Sequence, residues 1–391
     1  MTPNWRDLSA LASELAGDAK RAVDRALGKT GAYHVIGYRG YGTANRALLL
    51  GRVLEQTRIA HADASQARWR NALATLQRID SAPLPFATVH ARIGAIEARV
   101  VADDEGFLRH WVACESELGV GEWHTVDLSV VAGPETPIAA GAHVPARVLV
   151  PSAGASLGVI SDMDDTVLQS EITSFVRAMQ HMLLENARTR LPFPGVAAFY
   201  RALERGTLGA ATNPIFYVSS SPWNLHDVIA EFLDAQEIPV GPMLLRDWDI
   251  GRDMLGTRAY KLTQIREILA TYPALPFILV GDSGQEDPEI YGTLVREFPG
   301  RILAIYIRNV SPHPERSASI RTLAQQVTDA GSTLLLADDT LAAARHAAAH
   351  GWISEEALGE IGQEKRADER AHVADAPTIV VDPDVKRGDI E

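Results

Sequence analysis

The chain has a single cysteine, no uninterrupted apolar stretch of about 18 residues and no surplus of basic charge. Each shortage excludes something. Cys114 alone cannot close an internal disulfide, and its flank Trp111-Val112-Ala113 reads as strand, so a buried thiol in a reducing compartment is expected. Without a long apolar run there is no candidate for a membrane-spanning helix. The first residues, MTPNWRDLSALASELAGDAKRAVDRAL, lack the basic start and apolar block of an export signal. A cytoplasmic location is therefore expected, with peripheral contact at a membrane surface as the compatible extension. Lys and Arg number 37 against 50 Asp and Glu, a formal charge of −13. That balance argues against nucleic acid as a partner, because phosphate backbones are held by clustered cations. It does not argue against a phosphorylated substrate bound through a metal ion.

What is present is enough for two ordinary domains, with 391 residues of which 46% are hydrophobic. In residues 1–30, Leu8, Leu11, Leu15, Ala19, Val23 and Leu27 recur at helical spacing with charged residues opposite. This predicts an amphipathic helix whose alanine-rich face suits packing against a domain better than lying on a bilayer. Over residues 31–150 the texture changes to short apolar runs, namely Ala47 to Leu50, Ile96 to Val101, Phe107 to Cys114, Val126 to Val131 and Val144 to Val150. A β-sandwich-like domain is expected there, with a hairpin turning through Ala102 to Gly106 and a helical excursion over Ser65 to Ile79. The segment Gly37-Tyr38-Arg39-Gly40-Tyr41-Gly42 has a loose glycine pattern with no helix after it, so it reads as a turn or bulge and not as a dinucleotide loop.

After Pro151, over residues 151–350, short apolar strands alternate with longer helical segments, as in a doubly wound, mainly parallel α/β sheet. The expected strands are Leu157 to Ser161, Ile215 to Val218, Met243 to Leu245, Phe277 to Val280 and Ile302 to Ile307, with Ser332 to Leu336 at an edge and a helix from Thr340 to His350. Residues 351–391 are expected to hold a helix and a charged tail, mobile from about Lys365.

Carboxylates cluster where two of these strands end. Leu157-Gly158-Val159-Ile160 runs into Ser161-Asp162-Met163-Asp164-Asp165-Thr166, so three acids stand at the carboxyl end of a parallel strand, where open α/β sheets bind ligands. Crowded like charges need a cation or strong donors to offset their repulsion. Phe277-Ile278-Leu279-Val280 similarly delivers Gly281-Asp282-Ser283-Gly284-Gln285-Glu286-Asp287. Between them, Ile215 to Val218 runs into Ser219-Ser220-Ser221-Pro222-Trp223-Asn224, where Ser221 can cap a helix starting at Pro222 and exposed amides and hydroxyls can hold an anion. Taken alone, that cluster is only a helix cap. Lys261 begins a helix with the apolar stripe Leu262, Ile265, Leu269 and Tyr272, and alone it would be a solvated lysine. His346 and His350 share a helix face at zinc-binding spacing, but no carboxylate completes a site.

Acids after a strand, a hydroxyl after a strand, a lysine, then acids after a strand follow the order of the haloacid dehalogenase superfamily, which the chain resembles from 157 to about 310. DMDDT matches its first motif, and Ser219, Lys261 and Asp282 with Asp287 fall on the next three. A receiver-like signalling domain has a related set, but there the acid pair precedes the phospho-accepting aspartate. More narrowly, SDMDDT, YVSSSPWN and GDSGQEDPEIY resemble the actin-patch-associated phosphatidate phosphatases, relatives of the lipins. Asp165 stands where many superfamily members carry glycine, although the narrower family favours Asp.

The resemblance implies a Mg²⁺-dependent phosphatase. Asp162 would be the nucleophile and Asp164 the general acid and base. Asp162, the Asp164 carbonyl, Asp282 and Asp287 would hold Mg²⁺. Ser219 and Ser220 with Lys261 would bind the phosphate. The intervals from Thr166 to Ser219 and from Ser219 to Lys261 leave no room for a cap domain of about 50 residues, so a bulky lipid phosphate has access. Phosphatidate is the substrate this implies. The alternatives are a phosphatase for soluble phosphomonoesters or phosphoproteins, and a non-catalytic binding protein that uses the sandwich.

Overall fold

The computed structural model describes residues 33–55, 83–115, 118–132, 143–163, 194–207, 209, 213–246, 256–311 and 313–374. The expected helices near the N-terminus and over Ser65 to Ile79 lie outside these residues, as do Asp164, Asp165 and Thr166.

The N-terminal half is mainly strand. It comprises β1 (Tyr33–Gly37), β2 (Arg39–Thr43), β3 (Arg46–Glu55), β4 (Thr88–Ile93), β5 (Ile96–Val101), β6 (Phe107–Ala113), β7 (Glu122–Ala132) and β8 (Val144–Val150). The pairing order is β1-β3-β2-β8-β7-β4-β5, with β6 on β3. Its own core gathers Val35, Leu49, Val53, Val89, Val126, Leu128 and Val148. Strand β3 reads as an unbroken apolar run because both its faces are covered. Leu49 and Val53 point into this core, while Leu48 and Leu50 join the core of the other half.

One expectation about this half needs correction. Ala102 to Gly106 does turn the chain, with the Asp103 carboxylate accepting from the Glu105 and Phe107 amides at 3.0 and 2.7 Å. The flanking strands, however, do not pair with each other. β5 pairs with β4, and β6 pairs with β3, so the turn carries the chain from the β5 end of the pairing order to β3 instead of closing a hairpin. The GYRGYG segment is the end of β1 with most of β2, and the register against β3 slips by one residue across it, from Gly37 opposite Gly51 to Gly42 opposite Ala47, so the expected bulge is there. A Cβ on Gly40 would lie 2.0 Å from the Leu48 carbonyl oxygen, so glycine here allows close approach of neighbouring strands.

The second half is a six-stranded parallel sheet in the order β11-β10-β9-β12-β13-β14. Its strands are β9 (Gly158–Asp162), β10 (Ile215–Pro222), β11 (Met243–Arg246), β12 (Phe277–Asp282), β13 (Ile302–Arg308) and β14 (Thr333–Ala337). Its helices are α1 (Val196–Arg205), α2 (His226–Ala235), α3 (Thr257–Thr271), α4 (Asp287–Glu297), α5 (Pro314–Asp329), α6 (Thr340–Ala349) and α7 (Glu355–Ala374). Side chains from α1, α2, α6 and α7 cover one face. Those from α3, α4 and α5, together with Tyr38, Tyr41, Leu48 and Leu50, cover the other. Both faces being dry explains the continuous apolar runs of β10 and β12. The order of the strands reverses between β9 and β12, and the crevice at that switch point is where such sheets bind ligands.

Residues from Lys365 to Ala374 belong to α7, which corrects the expected start of a mobile tail. The helix is tied down by charge. Glu364 and Asp368 accept from the Ala198 and Gly195 amides at 2.8 Å, satisfying donors that the start of α1 would otherwise leave open. Among the described residues no helix is long and apolar enough to cross a membrane.

Candidate active site

Asp162 ends β9 and Asp282 ends β12, so the two central strands deliver a carboxylate each to the same crevice. Asp287 comes back to them because α4 starts there with Pro288 in its first turn. Carboxylate oxygens of Asp162, Asp282 and Asp287 all lie within 4.8 Å of one another. Gly281 makes this possible, since a Cβ there would sit 2.5 Å from Asp287 Oδ2. Lys261 reaches in from the second turn of α3. Its Nζ lies 2.8 Å from Asp162 Oδ1 and 2.9 Å from Asp287 Oδ1, and the three side chains are at most 2% exposed.

The buried lysine is the least expected part of the site, because most lysines at the start of a helix are solvated. Its charge is offset here by carboxylates on two sides, and it donates to the Gln285 side-chain carbonyl at 3.3 Å as well. Three carboxylates converge on one ammonium in a buried crevice. Hard oxygen donors in that excess fit a divalent cation, so the cluster could hold a metal ion.

The loop carrying the second pair of acids is held from several sides. Asp282 Oδ1 accepts from the Gly284 and Gln285 amides at 2.6 and 3.2 Å, and its own amide donates to Asp287 Oδ2 at 3.2 Å. Ser283 Oγ accepts from the Val310 and Ser311 amides at 2.9 and 3.0 Å. Arg316, on α5, donates to the Ser283 carbonyl at 2.9 Å and the Gln285 carbonyl at 2.5 Å, and forms a two-pronged ion pair with Glu289. Burial pushes the Glu289 carboxyl up, but the Arg316 hydrogen bond and charge outweigh it and hold the group below its ordinary range. Sequence reading missed Arg316 and Glu289, since each alone is an ordinary helix-surface charge. Below the acids, Tyr291 donates to the Val280 carbonyl at 3.0 Å, and burial, with Asp287 and Asp162 nearby, pushes its phenol well above the usual value.

Ser219, Ser220 and Ser221 reach the same sheet edge one strand over, since Val218 on β10 is in register with Asp162 on β9. All three are buried. Ser221 does not cap a helix at Pro222. Its amide donates to Ser219 Oγ at 3.0 Å, the strand continues to Pro222, and a short 3-10 turn over Trp223–Leu225 precedes α2. A cavity of about 90 Å³ opens beside Asp162 and Asp282, walled by Ser161, Tyr200, Tyr217, Phe232 and Arg308 among others. His346 and His350 are far from this chemistry in sequence and role. Their rings pack at 4.2 Å, and His346 Nδ1 lies 3.0 Å from the Tyr306 hydroxyl.

Residues 157–309 match the family model described as phosphatidate phosphatase APP1, catalytic domain, so the resemblance read from the motifs is shown over that segment. Phosphatidate phosphatase APP1 of Saccharomyces cerevisiae is 34% identical over 155 residues, which are 39% of this chain and 26% of that protein. An uncharacterized protein of Schizosaccharomyces pombe is 27% identical over 157 residues, 39% of this chain and 25% of that protein. The matched segment thus spans about a quarter of the length of these relatives. Among solved structures, a carbohydrate acetylesterase from Xanthomonas citri aligns over 74% of this chain and 72% of its own at 12% identity, with a TM-score of 0.25. A score that low carries no argument about fold or function.

Proposed function

We propose that this chain is a Mg²⁺-dependent phosphatase with a haloacid dehalogenase-like fold, hydrolysing phosphatidate to diacylglycerol through an aspartyl-phosphate. The observation that carries the reading is Lys261 buried between Asp162 and Asp287 at the switch point of the sheet. A buried cation touching one carboxylate of a convergent acid cluster is what a phosphoryl-transfer site needs. It keeps the attacking carboxylate ionised and offsets the charge that the phosphoryl group brings.

In this reading an Asp162 carboxylate oxygen attacks phosphorus, the bond from phosphorus to the alcohol oxygen breaks, and water then hydrolyses the phospho-aspartate. Asp164, outside the described residues, gives a proton to the leaving oxygen and later takes one from the attacking water. Ser219 and Ser220, with the amides around them, bind phosphoryl oxygens. Asp162, Asp282 and the Asp164 carbonyl would hold Mg²⁺, with Asp287 supporting them from behind through its bonds to Lys261 and the Asp282 amide. When bound, the ion neutralises charge on the phosphoryl oxygens. The lipid substrate is supported by the named family match and by the absence of room for a large cap, and it places the chain at a membrane surface during turnover.

The test is phosphate release by the purified full chain from phosphatidate in mixed micelles, compared with a soluble phosphomonoester, with and without Mg²⁺. Micellar turnover that requires Mg²⁺ and falls by at least about a thousandfold in Asp162→Asn is expected. Full activity in that variant would remove the nucleophile assignment. Efficient turnover of soluble esters with none of micellar phosphatidate would replace the lipid by a soluble substrate.

A further inference from the structure

The proposed phosphate-binding turn, Ser219 to Trp223, lies beyond the regular ladder that joins β10 to β9. Pairing of β10 with β11 loses register between Val218 and Pro222, so the sheet ladder does not fix the three serines. Neither the 3-10 turn nor α2 has a side-chain cap at its start.

The N-terminal half packs rings on its far end. The Tyr38 ring stacks on Trp223 at 4.6 Å between centroids and 17° between planes, and packs on His226 at 4.4 Å. Trp223 and His226 are three residues apart, so one tyrosine grips the first turn after the serines on two rings. Phe107 adds a second contact on Trp223, at 6.4 Å, and is itself covered by the Arg52 guanidinium at 4.1 Å. Tyr38 is fixed in turn. Its amide donates to the Leu50 carbonyl at 2.9 Å, it is 5% exposed, and the glycines on either side bring its strand close against β3 and β8.

We propose that Tyr38 is a positioning residue for phosphate binding, so that the N-terminal strand region supplies part of the scaffold of the active site. The inference rests on the reading of Ser219 to Ser221 as the phosphate-binding turn. Trp223 lies two residues beyond Ser221, whose amide already donates to Ser219 Oγ, so the tilt of the indole sets the direction of the donors before it. Metal binding uses side chains on other strands and should not depend on Tyr38.

Calorimetric titration of inorganic phosphate into the full chain with saturating Mg²⁺ tests this directly, beside a titration with Mg²⁺ alone. Tyr38→Leu keeps an apolar side chain but removes the stacked plane, and should raise the phosphate Kd about three- to tenfold with the Mg²⁺ Kd unchanged. Tyr38→Phe keeps the plane and should bind phosphate as the wild type does. If Tyr38→Leu does not fold, Trp223→Leu removes the same stack from the other side and should give the same rise. Equal phosphate binding in the wild type and the leucine variant would overturn the positioning role alone. No phosphate binding by the wild type would overturn the reading of the site and this role with it.

Discussion

Two loops meet at this site, and they are held by opposite means. The acid loop, Asp282 to Asp287, is fixed by charge and directional hydrogen bonds from its own half: Arg316 donates to its Ser283 and Gln285 carbonyls and pairs with Glu289, and Ser283 Oγ accepts from the Val310 and Ser311 amides. The serine turn, Ser219 to Trp223, meets the other half of the chain through rings packed on Trp223. Carboxylates that repel one another must be brought within a few ångströms, and only oriented donors and a buried cation offset that cost. A turn that presents neutral donors has no such repulsion, and in the proposed role a stacked ring is enough to set its tilt.

The strongest way to break this contrast is to remove the cation. Lys261→Met would leave three buried carboxylates without an ammonium, and should lower stability by about 3–5 kcal/mol in Mg²⁺-free buffer, measured by denaturant unfolding. Added Mg²⁺ should restore part of the loss by binding the folded state alone. A loss no greater than that of Tyr38→Leu would mean the two loops are held alike. Next in size, Arg316→Lys replaces a planar fork by a point charge, and should raise the Mg²⁺ concentration for half-maximal activity about tenfold while phosphate inhibition at saturating Mg²⁺ stays unchanged.

A smaller effect separates the loops by pH. Glu289 is held below its ordinary range in the folded chain, so its pair with Arg316 stabilises fully above the unfolded carboxyl value and is lost as pH falls through the lowered one. Acidification from neutral should therefore cost the wild type more unfolding free energy than Glu289→Gln, and ring contacts add nothing to that slope. The smallest expected effect is an absence of coupling. In a double-mutant cycle on stability, Arg316→Lys and Tyr38→Leu should add to within about 0.5 kcal/mol, because Arg316 holds one loop and Tyr38 packs on the other.

How much of this was legible in the sequence follows the same division. The acids stand out because they end or follow apolar strands whose two faces are both buried, and that pattern survives without knowledge of neighbours, whereas Lys261, on a helix, was marked only by its place in the motif order. Arg316 did not stand out, since its partners lie 27 to 33 residues away and an arginine early in a polar helix carries no mark of what it binds. Tyr38 was hidden by its glycines. They look like turn residues, but their role is to let strands approach closely, which only the packing of Gly40 on Leu48 reveals. Ala102 to Gly106 was read correctly as a turn and wrongly as a hairpin for a related reason. Asp103 fixes the bend locally, but which strands pair is decided by long-range burial.

Strand β3 carries a practical consequence for anyone who would shorten this protein. The family match begins at 157, yet Leu48 and Leu50 from β3, with Tyr38 and Tyr41, lie on Ile160, Phe216 and Val218 of the matched segment. Tyr272 also donates to the Gly42 carbonyl at 3.0 Å across the same seam. Excising the segment at its homology boundary would expose a sheet face of aromatic and branched side chains, and such a fragment should precipitate or self-associate at concentrations the full chain tolerates. The limits of a detectable relationship are, in this molecule, a poor guide to where the polypeptide can be cut.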